Sequence, residues 1–163
     1  MYNENTVLNL HDSIIPSRRV VNRGLGSDTA LRMKERITKH INGVPKKIVL
    51  MVGINDLAFG RNASEIEKDY RELVGLLMKY VEPEHLLCIS VLPCKSEKSS
   101  DIAIKDVNSR IQKITNENKC RYLDLYSKFL RNGTIVEEFY IDDRVHLSPL
   151  GYEKWIQEMQ TFL

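Results

Sequence analysis

Apolar positions along the chain fall into short continuous runs separated by stretches of helical spacing. Lys47 to Gly53 reads KIVLMVG and Leu86 to Leu92 reads LLCISVL. Runs without polar alternation mark strands covered on both faces. Val20-Val21-Asn22 and Arg121 to Leu125 (RYLDL) are shorter runs of the same kind, read here as two further strands. Between them, apolar residues recur three and four apart. Leu31, Met33, Ile37 and Ile41 line one helix, and Ile66, Tyr70, Val74, Leu77 and Val81 a second. Ile104, Val107, Ile111 and Ile114 line a third, and Tyr152, Trp155, Ile156 and Met159 a last one. Punctuation agrees with these limits. Ser27 or Asp28 is the expected first N-cap, Gly43 the stop, and Ser64-Glu65-Ile66-Glu67 a capping box. Pro83 closes the second helix, Pro93 stops the second long strand, and Ser96 to Ser100 (SEKSS) reads as a surface loop.

Strand and helix thus alternate four times with short links. Parallel strands need helical crossovers, so the pattern predicts a three-layer α/β/α domain around a parallel sheet. We find no repeat and no linker, and take 1–163 as a single domain with an atypical N-terminal segment, 1–19. Open sheets of this kind bind ligands beyond the carboxyl ends of their strands, which is where chemistry is expected.

Composition narrows the function classes. Of 163 residues, 42% are hydrophobic and 28% charged, as in an ordinary globular protein. The net charge of +2 argues against nucleic acid, whose phosphates call for a clear basic excess. No apolar run nears the roughly 20 residues of a membrane span, and the start is not a signal peptide. Cys88, Cys94 and Cys120 are odd in number and lack CxxC spacing. They predict a reducing, cytoplasmic setting and no zinc site. The four histidines are scattered, so no metal site is expected; no cofactor is expected either.

Three strand ends carry unusual residues. Asn22-Arg23-Gly24-Leu25-Gly26-Ser27-Asp28-Thr29 places glycines before a helix start, which leaves backbone N–H groups for an anion. By itself this reads equally as a tight turn, and it departs from the dinucleotide fingerprint at Thr29. Gly53-Ile54-Asn55-Asp56 follows a buried strand. Its Asn-Asp pair either caps the next segment or lets the Asn55 amide donate to a developing oxyanion. Asp142-Asp143-Arg144-Val145-His146 precedes the last helix. Asp143 can fold back onto the His146 ring, fixing its tautomer for base catalysis.

Four segments, VVNRGLGSDT at 20–29, VLMVGINDL at 49–57, SVLP at 90–93 and DDRVHLSPLGY at 142–152, together resemble the SGNH (GDSL-like) acylhydrolase family, in its order and spacing. The resemblance implies a flavodoxin-like parallel sheet and metal-free cleavage of esters or thioesters. It implies Asn55 as oxyanion-hole asparagine, His146 as general base and Asp143 as its orienting acid. Backbone amides of Gly26 and Ser27 would complete the hole. The family's glycine in that block falls on Ser27, because the chain reads GLGS. Any residue but proline supplies an N–H, so the hole survives unless the side chain crowds it or the turn needs a positive φ.

The best candidate for the family's GDS serine is Ser13 in Leu8-Asn9-Leu10-His11-Asp12-Ser13-Ile14, with His11 in place of glycine. Against it, Ile14 to Arg19 is too short for a crossover into a strand at Val20, since a crossover takes about a dozen residues. The other alignment leaves the chain without its first strand and serine. Two functions follow: a serine hydrolase of short-chain acyl esters, such as O-acetylated sugars or small lipids, or a truncated or degenerate module that binds an acylated ligand. The chain could also be a module of a longer protein. An unfilled sheet position would expose apolar edge, from which a homodimer is expected.

Overall fold

The computed structural model describes residues 20–41 and 43–162 of the chain. In chain order it contains α1 (Ala30–His40), β1 (Ile48–Leu50), α2 (Ile54–Ala58), α3 (Ala63–Leu77) and β2 (Leu86–Ile89). These are followed by α4 (Asp101–Glu117), β3 (Arg121–Leu123), α5 (Leu125–Lys128), β4 (Leu130–Arg131), β5 (Thr134–Ile135) and α6 (Pro149–Met159). Short 3₁₀ turns at Pro83–His85 and Glu137–Phe139 link them.

β1, β2 and β3 form a parallel sheet in that order, with Ile48 opposite Leu86 and Leu87 opposite Arg121. β2 is central and fully buried, which explains its unbroken apolar sequence. Its side chains alternate between two cores, as the strand pleat requires. Leu86 and Cys88 join Leu50, Ile66, Tyr70, Leu73, Val74, Ile104, Val107 and Ile111 under α3 and α4. Leu87 and Ile89 join Leu125, Phe129, Tyr140, Leu147 and Met159 under α6 and the segment before it. The three-layer α/β/α architecture is therefore as the sequence predicts.

Several local readings are corrected. Val20-Val21-Asn22 is not a strand: among the described residues it pairs with nothing in the sheet, and Val21 is half exposed. The described sheet has three strands, not four, and each is shorter than its apolar run. The N-cap of α1 is Thr29, whose hydroxyl accepts the Arg32 N–H at 3.2 Å, rather than Ser27 or Asp28. The capping box of α3 starts at Asn62 instead of Ser64. The Asn62 side chain accepts the Glu65 N–H at 3.0 Å, and the Glu65 carboxylate takes the Asn62 N–H at 2.8 Å. In both cases a better-placed polar residue one or two positions away wins the exposed amides.

One glycine in the interior of α3 has no structural task. A Cβ at Gly75 would meet nothing within 4 Å, on an exposed helical position. Gly75→Ala is expected to stabilise the protein by about 0.5–1 kcal/mol. Urea unfolding checks this, and a loss of stability would contradict the packing described.

Candidate active site

The carboxyl ends of β1 and β2 carry the residues of interest. β1 runs out into Val52 and Gly53, and α2 then starts, so Asn55 and Asp56 lie inside this five-residue helix. Neither caps the segment that follows, as the sequence alone allowed. Both reach back to the turn that opens α1. The Asn55 Nδ2 donates to the Asp28 carbonyl at 2.9 Å. An amide nitrogen carries two hydrogens, so this bond orients the group and leaves one hydrogen to donate. The buried Asp56 carboxylate accepts the Ala30 N–H at 3.0 Å and an Arg61 N–H at 2.7 Å. Burial pushes its carboxyl above the usual range, against the opposing pull of the Ala30 N–H and the Arg61 charge.

The turn itself is held from outside. Asp28 N–H donates to the Leu25 carbonyl at 3.3 Å, and Arg36 binds both the Asp28 carboxylate and the Arg23 carbonyl, the latter at 2.9 Å. Gly26 and Ser27 sit at its exposed apex. Ser27 has φ 61°, in the left-handed region that favours glycine. The family glycine thus stands where the turn needs a positive φ, and serine holds that conformation at a cost of about 1 kcal/mol. Ser27→Gly is expected to recover about 1 kcal/mol of stability while keeping the N–H in place. Thermal unfolding of the variant measures this; an unchanged or lower midpoint would contradict a strained turn.

The second group stands ahead of α6. Tyr140 and Leu147 form an antiparallel bridge, and the Ile141 N–H donates to the His146 carbonyl at 3.0 Å. The loop between them turns through Arg144, at φ 55°. This turn folds Asp143 back so that its Oδ1 accepts the N–H groups of Val145 and His146, both at 2.9 Å. Its Oδ2 lies 2.6 Å from the His146 Nδ1. Partial burial raises the Asp143 carboxyl, but the His146 N–H, the His146 ring and the Val145 N–H outweigh it and hold the carboxyl down at about 2. An ionised carboxylate only accepts, so Nδ1 carries the proton of a neutral ring and Nε2 keeps a free lone pair. The His146 side chain is 72% exposed, so that lone pair is open to solvent.

The depressed Asp143 value has a consequence for acid stability. The unfolded carboxyl titrates near 3.8, the folded one at about 2. The carboxylate therefore stabilises the fold above pH ~4, and that contribution is lost as pH falls from about 4 to 2. Thermal unfolding across this window should fall more steeply for wild type than for Asp143→Asn. Parallel curves would count against the pairing.

These two groups share one end of the sheet. A Cβ on Gly53 would lie 2.8 Å from Val91, so the exits of β1 and β2 abut. Beyond Val91, the Tyr140 hydroxyl donates to the Pro93 carbonyl at 2.6 Å, and the Lys95 N–H to the Arg144 carbonyl at 3.2 Å. The exit of β2 thereby supports the Asp143–His146 loop. Gly151 closes the assembly from the other side. A Cβ there would run into the Phe139 carbonyl oxygen, so only glycine lets α6 start this close to the loop. The structure joins Asn55 to the Gly26–Asp28 turn, and Asp143 to His146; Ser13 lies outside the described residues. Among the described residues no three His, Cys, Asp or Glu side chains group as metal ligands. No described helix is long and apolar enough to cross a membrane.

Sequence reasoning missed the Asp56 contacts and the tie between Tyr140 and Pro93. Asp56 was in view as half of an Asn-Asp pair, yet its partners, Ala30 and Arg61, are far away or on another element. Tyr140 carried no signal beyond its aromatic character.

The Asp143–His146 pair and the anchored Asn55 amide thus stand at one end of the sheet in a three-layer α/β/α domain. The comparisons with known proteins give the family. The profile of the GDSL-like lipase/acylhydrolase family matches residues 7–154, and the chain belongs to that family. Among curated proteins, none matches the sequence. Among solved structures, an acylhydrolase described as putative, from Bacteroides fragilis, aligns with TM-score 0.82 and 21% identity over 96% of this chain and 80% of its own. A lipase/acylhydrolase from Enterococcus faecalis aligns with TM-score 0.78 and 20% identity over 97% and 86%. An acetylxylan esterase from Geobacillus stearothermophilus aligns with TM-score 0.75 and 19% identity over 96% and 78%. At these identities the likeness is one of fold.

Proposed function

We propose that the chain is a serine esterase acting on short-chain acyl esters, O-acetylated sugars or small lipids among them. The observation that carries this is the 2.6 Å pairing of the His146 Nδ1 with a carboxylate held ionised by two backbone N–H groups. In the proposed reaction, a serine Oγ attacks the ester carbonyl carbon while the His146 Nε2 takes its proton. The tetrahedral oxyanion accepts from the second Asn55 amide hydrogen and from backbone N–H groups at Gly26 and Ser27. Collapse breaks the bond to the alcohol, which leaves with the proton from His146. Water then attacks the acyl-serine, with His146 again as base, and releases the acid.

Ser13 is the proposed nucleophile. The family match opens at residue 7 and so includes the Leu8–Ile14 block. The objection from a short crossover assumed a strand at Val20–Asn22, and that segment lies outside the described sheet. An acetylesterase among the fold neighbours supports a short acyl group. A homodimer and a reducing, cytoplasmic setting belong to the same proposal; sedimentation tests the first and thiol titration of freshly lysed cells the second. His11, in place of the family glycine, favours a second reading in which an acylated ligand is bound without cleavage.

A p-nitrophenyl ester series from acetyl to octanoyl tests the proposal. Turnover should be fastest with acetyl and fall with chain length. An increase with length would remove the short-acyl assignment, and no turnover of any ester above buffer would favour binding without cleavage.

A further inference from the structure

The turn on the proposed oxyanion side is gripped by a ring of charges that the reaction itself does not use. Asp56 is fully buried, with one carboxylate oxygen on the Ala30 N–H at 3.0 Å and the other on Arg61 at 2.7 Å. The second nitrogen of Arg61 reaches the buried Asp69 of α3. Asp69 in turn takes the Lys34 ammonium at 2.7 Å. Lys34 lies on α1, one turn beyond Ala30, so the ring begins and ends on the same helix.

This arrangement is a poor way to gain stability. Taking charges out of water costs nearly what their attraction returns, and an apolar replacement often serves as well. What the ring fixes is geometry. Asn55 and Asp56 are neighbours on one short helix and hold positions 28 and 30 of the turn, through the Asp28 carbonyl at 2.9 Å and the Ala30 N–H. The turn carrying Gly26 and Ser27 cannot slide past the Asn55 amide without leaving a buried carboxylate or its N–H partner unpaired. Losing that partner costs more than the pair is worth, so the register of donors is held stiffly.

We propose that Asp56 is a positioning residue, which through Ala30 and Arg61 fixes the Gly26–Ala30 turn against the Asn55 amide. The donor role of Asn55 rests on the esterase reading; the clamp itself does not. Asp56→Asn keeps the size of the side chain but removes the charge that Arg61 pairs with. Its kcat on p-nitrophenyl acetate should fall about 10-fold or more, with KM within about twofold. Because what Asp56 fixes is the register of the turn against the Asn55 amide, the combined loss in the double variant Asn55→Ala/Asp56→Asn should fall clearly short of the product of the two single losses. Arg110→Gln, which removes a remote ion pair with Glu67, should leave kcat unchanged. A kcat within twofold of wild type for Asp56→Asn, or losses that multiply in the double variant, would overturn the proposal.

Amide hydrogen exchange supplies an arm that needs no turnover. The Asp28 and Ala30 amides should exchange about 10-fold faster in Asp56→Asn, while those of α4 keep their rates. Unchanged exchange at Asp28 and Ala30 overturns the clamp. If wild type turns over no ester, the esterase reading fails while exchange still decides whether Asp56 holds the turn.

Discussion

Replacing His146 by alanine is expected to lower turnover of p-nitrophenyl acetate by at least about 10³-fold, with little change in KM. Asp143 sets the state of the ring. Two backbone N–H groups at 2.9 Å and the His146 ring at 2.6 Å keep it ionised, with its carboxyl at about 2. The ring is thereby held in one tautomer and one orientation, with its Nε2 facing out. Alanine removes the only group the account assigns to proton transfer, while the donors at Asn55 and the Gly26–Ser27 turn remain. Substrate binding should persist and the chemical step should not. The loop itself should stay folded, since its bridge between Tyr140 and Leu147 and the bond from Ile141 N–H to the position-146 carbonyl use main chain. A single-site kinetic comparison measures this, and turnover within about threefold of wild type would remove His146 from the mechanism.

Gly53→Ala is expected to cost about 3–4 kcal/mol of stability. Gly53 has φ 137°, a conformation that L side chains rarely adopt. A Cβ would also lie 2.8 Å from Val91 Cγ2 and 3.4 Å from Val107 Cγ1. Val91 cannot yield easily, because Asn108 binds both its N–H and its carbonyl, at 2.7 and 2.9 Å. Strain and overpacking therefore add. The site should suffer as well, since Gly53 is the N-cap of the helix that carries Asn55. Urea unfolding of Gly53→Ala beside Gly75→Ala separates the two kinds of glycine. Opposite signs are expected, and a cost below about 1 kcal/mol at position 53 would show that the strand exits are looser than described.

The elements that bury a wide apolar stripe could be read from sequence. Ile66, Tyr70, Val74 and Leu77 repeat at helical spacing because α3 lies on the sheet, and all four are buried. LLCISVL is continuous because β2 has a core on each face. Val20-Val21 misled because two β-branched residues before a turn look like a strand, whereas pairing needs a partner the sequence does not name. The β4–β5 hairpin went unread although its Asn132-Gly133 turn, with φ 53° and 77°, is the common two-residue hairpin signal. Its strands are two residues long, too short for a period. Asp143 and His146 were legible as a pair because three residues separate them. The Asp56 ring was not, because its contacts span 26 and 35 positions and only folding brings them together.

The central claim, a serine made nucleophilic by the Asp143–His146 pair, is tested most directly by labelling with a fluorophosphonate and mapping the adduct by mass spectrometry. One adduct is expected on the wild-type chain, at Ser13, that disappears in Ser13→Ala and is strongly reduced in His146→Ala. No adduct on wild type, or labelling at full rate in His146→Ala, would contradict it.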